Sequence, residues 1–102
     1  MLTKDTVIEK IKSNREQIQR LGVRDIGLFG SYVREEQRAD SDIDLLVEFQ
    51  PEQKTFDHFM ELCFLLDEVF EGIKVEVVTA EGLSPYIAPK ILNELEYVQI
   101  GN

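Results

Sequence analysis

Apolar residues recur at helical spacing from Lys4 to Leu21, where Val7, Ile8, Ile11, Ile18 and Leu21 share a face. Thr6 followed by Glu9 predicts a capping box for this helix, and Gly22 a stop. The pattern then shortens. "VRDIGLFG" (23–30) reads as a strand with Ile26 and Leu28 on one side, and "SYVREEQ" as one or two helical turns capped by Ser31. Polar and charged residues from Glu35 to Ser41 predict a loop. "DIDLLVEF" (42–49) alternates most clearly: Ile43, Leu45, Val47 and Phe49 face one way, Asp42, Asp44, Leu46 and Glu48 the other, and Pro51 ends the run.

A helix is predicted over 55–71, with Phe56, Phe59, Cys63, Leu66 and Phe70 as its apolar stripe and Gly72 as its stop. "IKVEVVT" (73–79) is a strand with Ile73, Val75 and Val77 opposed to Lys74, Glu76 and Val78. "SPYIAPKILNEL" (84–95) opens a helix with Ser84 as cap and Pro85 at its first position, while Pro89 breaks or restarts it. "EYVQI" (96–100) is too short to assign. The expected architecture is α/β (α+β): a small three- to four-stranded mixed sheet with helices packed on one face.

Composition narrows the class. The 102 residues suit one domain, 1–102, with 43% apolar and 30% charged residues, and no apolar run long enough to span a membrane. A single cysteine, Cys63, and an N-terminus without secretory architecture lead to a cytoplasmic expectation. The net charge of −9, with Arg15, Arg20 and Arg24 interleaved with acids, shows no basic stripe, so no direct nucleic-acid contact is expected. Acidity suits a carboxylate-rich metal site, or docking on a basic protein.

The candidate chemistry lies in "GSYVREEQRADSDID" (30–44). Three readings apply: a nucleotide-and-metal site, a helix cap followed by a strand end, or a polar turn. Alternation puts Asp42 and Asp44 on the same side of one strand, about 6.5–7 Å apart. Two such charges conflict unless a cation lies between them, and two-metal phosphoryl-transfer sites suit the spacing. Glu76, on a later strand, offers a third carboxylate as ligand or proton acceptor. Gly30 lets a phosphate approach the backbone, Ser31 offers its hydroxyl and nearby N–H groups, and Arg34 offers charge to the phosphate.

"GLFGSYVREEQRADSDIDLLVEF", a Gly-Ser pair followed after ten residues by Asp-Ile-Asp, with an acid on the later strand, resembles the DNA polymerase β-type nucleotidyltransferases. The short chain, including "IKVEVVT" and "LNELEYV", is most similar to their minimal nucleotidyltransferase (MNT) branch. The resemblance implies two Mg2+ ions on Asp42, Asp44 and Glu76, and the ATP triphosphate on Gly30 and Ser31. It further implies AMP transfer from ATP to a hydroxyl, foremost a tyrosine of a HEPN-domain ribonuclease toxin for which the MNT protein is antitoxin. Two departures stand out: the third acid is glutamate where aspartate is common, and Glu35 follows Arg34 where relatives often have glycine. The alternatives are a non-catalytic antitoxin that occludes its toxin, and a transferase acting on a small molecule.

Other residues read as structure. His58 has no second ligand at metal spacing and is placed on the exposed side of its helix; Cys63 and the Phe56, Phe59 and Phe70 face are placed in the core. Tyr32 and Tyr86 are left open as candidates for a nucleotide or partner surface.

Overall fold

The computed structural model describes residues 2–101. Helices α1 (Lys4–Ser13) and α2 (Arg15–Arg20) lead into β1 (Val23–Phe29), α3 (Ser31–Arg34), β2 (Ile43–Phe49) and α4 (Phe56–Val69). Then follow β3 (Val75–Thr79), a 3-10 turn at Ala80–Gly82, α5 (Ala88–Glu94) and β4 (Glu96–Val98).

The four strands form one mixed sheet in the order β3-β2-β1-β4. β1 is antiparallel to both β2 and β4, whereas β2 and β3 are parallel, with α4 in the crossover. The sequence motif too short to assign is therefore an edge strand, with Tyr97 opposite Gly27. A strand this short forms because β1 supplies a ready edge.

The inner face of the sheet follows the predicted alternation. Ile26 and Leu28 of β1 and Ile43, Leu45, Val47 and Phe49 of β2 are all buried, together with Val7, Ile11, Ile18, Leu62, Leu66 and Phe70 from the helices. Several helices differ in detail from the pattern read in sequence. The N-terminal helix breaks at Asn14, whose φ of −111° leaves the helical region. The cap is Thr3, whose Oγ1 accepts from the Thr6 N–H, so the Thr6–Glu9 box does not form. Ile11 and Ile18 keep their common face because α2 resumes at once.

In α4 the buried ladder is Leu62, Leu66 and Phe70, while Phe59 is partly covered and Phe56 is 77% exposed. This helix is apolar over more than half its circumference, so spacing alone left its rotation open by about one position. Phe56 is the first helical residue, directly after the cap Thr55. Cys63 is half-buried, and burial, followed by the nearby Asp67, raises its thiol pKa, which opposes a nucleophilic role. His58 is also half-buried rather than exposed, its Nδ1 hydrogen-bonded to the Gln53 carbonyl oxygen at 2.6 Å. Ser84 closes a turn instead of capping a helix, and α5 starts four residues later with Pro89 in its first turn, the restart that Pro89 implied. Among the described residues no helix is long and apolar enough to cross a membrane.

Candidate active site

The carboxylates are brought together by strand register. β2 and β3 run parallel with Asp44 directly opposite Glu76. Neighbouring strands lie about 4.8 Å apart, and side chains at paired positions point the same way. Sequence alternation had put both acids on the outer side, but only the ladder makes them neighbours. Asp42 lies just before β2, ahead of the first paired residue, Ile43, so pairing does not fix it as it fixes Asp44.

The consequence is electrostatic. The Asp44 carboxyl is pushed up to about 6, first by burial and then by the charges of Glu76 and Asp42. A hydrogen bond to Glu76 adds to the shift, and Arg34 opposes it. Burial disfavours an ion and like charges disfavour it further, so Asp44 gives up its proton at a higher pH than an ordinary aspartate. A divalent cation would relieve the same conflict without a proton, and hard oxygen donors are what magnesium takes. The donor chemistry therefore fits such an ion. The arrangement is not closed, however: among the described residues no three His, Cys, Asp or Glu side chains converge as a metal-holding group.

The Gly-Ser turn abuts these acids. Gly30 has φ 83° and ψ −154°, a region open essentially to glycine alone, and it is the N-cap of α3. A β-carbon there would collide with the Asp44 carboxylate. Glycine is thus required twice, by backbone conformation and by the close approach of the acid. Ser31 is the first helical residue rather than the cap, a place taken by Gly30, which has no side chain to cap with. At the other end of this single turn Glu35 adopts φ 59°, ψ 35°, in the left-handed region. This explains why glycine suits the position and shows that glutamate is accommodated there.

Arg34 projects from the turn with its Nε donating to Glu36 Oε1 at 2.7 Å and its Nη1 donating to Glu94 Oε2 at 2.8 Å. Both bonds, Glu36 first, raise its already high pKa. The other oxygen of Glu94 accepts the Gly30 backbone N–H at 3.1 Å. Glu94 is thus a member of the site that sequence reasoning missed. It reads as the end of an ordinary amphipathic helix, and no local signal links it to a turn 64 residues away. Tyr32, one of the two tyrosines left open, is buried in the core; Tyr86 is 93% exposed.

A mixed four-stranded sheet covered by helices in this way is also the fold of a solved minimal nucleotidyltransferase. The chain belongs to the nucleotidyltransferase domain family, whose model matches residues 8–98. Protein adenylyltransferase MntA of Thermococcus cleftensis is 38% identical over 99 residues, covering 96% of this chain and 98% of the relative. A solved structure assigned to the minimal nucleotidyltransferases superposes with a TM-score of 0.70 at 33% identity, over 87% of this chain and 93% of that one. The fold is also shared with a chain from the complex of a tri-AMPylated HEPN toxin of Shewanella oneidensis with an MNT antitoxin. There the TM-score is 0.56 and the identity 20%, over 86% and 71% of the two chains.

Proposed function

We propose that this chain transfers AMP from ATP to a hydroxyl of a protein partner, a tyrosine of a HEPN-type toxin, and so serves as its antitoxin. The observation that carries the reading is the Asp44–Glu76 pair in register, with Gly30 pressed against Asp44. The near full-length likeness to a protein adenylyltransferase supports AMP as the transferred group and protein as the acceptor. The AMPylated toxin held with an MNT antitoxin supports the class of partner.

Asp42, Asp44 and Glu76 would hold magnesium, which when bound supplies charge neutralisation at the phosphates and a more acidic acceptor hydroxyl. The chain's own groups do the rest. Ser31 and the Gly30 turn orient the triphosphate, and Arg34 faces its negative charge. The acceptor oxygen forms a bond to the α-phosphorus, the bond from that phosphorus to the bridging oxygen breaks, and pyrophosphate leaves. The hydroxyl proton passes to a carboxylate oxygen of Glu76. Positioning and charge complementarity provide most of the rate in such a transfer.

The test is the intact mass of the purified partner after incubation with the protein, ATP and magnesium. AMP-sized increments are expected, and Asp42→Asn/Asp44→Asn should reduce their rate by more than about 100-fold. A second reading, neutralisation by occlusion without catalysis, draws on the carboxylates' failure to converge on one point. It predicts an unmodified partner that is inhibited equally by the wild type and the double variant.

A further inference from the structure

The Glu94 carboxylate engages two donors at once. Oε1 accepts the Gly30 N–H at 3.1 Å, and Oε2 accepts from Arg34 Nη1 at 2.8 Å. Those are the groups that the proposed function assigns to nucleotide phosphate. A backbone N–H is a single donor, so a phosphate oxygen and Glu94 cannot both hold it at full strength. A carboxylate and a phosphate are also like charges and cannot share the arginine without mutual repulsion. Glu36, the other carboxylate on Arg34, differs in kind. Its side chain is 65% exposed and reaches Nε alone, whereas that of Glu94 is 18% exposed and spans both donors.

The helix that carries Glu94 is held lightly. α5 has seven residues, of which only Ile91 is buried, and Glu94 is the last. The next residue, Leu95, lies against Gly27, where a β-carbon would touch its side chain. The backbone at position 94 is thus anchored on the sheet by Leu95, while the glutamate side chain can rotate about its own torsions. Exchange needs no rearrangement of the fold.

We infer that Glu94 is an internal competitor for the phosphate grip: its carboxylate and a nucleotide phosphate bind the Gly30 N–H and Arg34 in alternation. This rests on reading Gly30 and Arg34 as phosphate-binding. Such a competitor keeps Arg34 aimed at the turn, and it sets an affinity threshold that a multiply charged polyphosphate passes more readily than a weakly charged anion. Glu94 is a positioning residue in this scheme, since it touches no reacting atom.

The test is the affinity for a non-hydrolysable ATP analogue with magnesium, measured by calorimetry. Glu94→Gln keeps the shape but not the charge, and is expected to bind roughly tenfold more tightly, the value of one charge-assisted hydrogen bond partly exposed to solvent. A merely structural role predicts the opposite sign. In the Arg34→Gln background the gain should shrink to the share carried by the Gly30 N–H, which Glu94 still holds there; an undiminished gain would show that Glu94 does not compete for Arg34. Equal or weaker binding by Glu94→Gln, while the wild type binds, overturns the exchange and leaves the phosphate grip intact. No binding by either protein overturns the reading of the grip itself, and the exchange with it. Should Glu94→Gln not fold, carbon-detected NMR of the wild type gives the answer. The Glu94 carboxyl and Gly30 amide resonances are expected to shift along one titration curve with the analogue, and a carboxyl signal that stays fixed at saturation refutes the exchange.

Discussion

The two faces of β2 were built for different purposes. On the inner face Ile43, Leu45, Val47 and Phe49 are buried in the main core. On the outer face Asp44 and Glu48 are half-exposed, and Leu46 is buried but outside that core. Residues that alternate along one strand thus differ completely in what surrounds them. The inner ones gain from losing water and stabilise the fold. Asp44 is partly buried beside Glu76 and Asp42, and its proton affinity measures the cost of that placement. The outer face stores electrostatic conflict that the inner face can sustain.

Three substitutions sharpen this contrast, beginning with the largest effect on stability. Leu45→Ala, at a fully buried inner position, should cost about 3 kcal/mol through lost burial and an unfilled cavity, measured by denaturant unfolding. A loss of under about 1 kcal/mol would mean that the core repacks and that the two faces are less distinct than they look. Gly30→Ala forces a β-carbon into a region closed to alanine and against the Asp44 carboxylate. It should cost about 2 kcal/mol in the same measurement, and nucleotide affinity should fall with it.

Asp44→Asn should do the reverse. The folded-state pKa of Asp44, about 6, lies above its ordinary 3.8, so between those values the folded chain binds more protons than the unfolded one. Wild-type stability therefore falls as pH rises from about 4 to about 6, and the cost persists above. Asparagine escapes it and can still hydrogen-bond Glu76. In chelator at neutral pH this variant should be more stable by about 1 kcal/mol, after discounting for solvent screening, and should lose its advantage below about pH 4. An advantage independent of pH would show that charge is not its source.

Much of the fold was legible because alternation and helical spacing are local. β1, β2 and β3 were read close to their observed limits, and the inner face of β2 residue by residue. The misreadings arose where local pattern was ambiguous. The broad apolar band of α4 did not specify which stripe met the sheet, and the first helix starts at the cap Thr3, three residues before the Thr6 read as its cap. β4 could not be read at all, because a three-residue strand exists only through the edge it pairs with.

For the site, the sequence by itself determined the donor types and their side of the strand: Gly30 and Ser31 at a strand's end, Asp42 and Asp44 in alternation, Glu76 on a later strand. These follow from chain geometry over a few residues. Tertiary structure alone decided that Asp44 stands opposite Glu76, that Gly30 is pressed against Asp44, and that Glu94 reaches across to the same turn. The reason is physical. Register and close approach are set by how separate segments pack, and a carboxylate 64 positions away from its hydrogen-bond partner leaves no periodic trace in either segment.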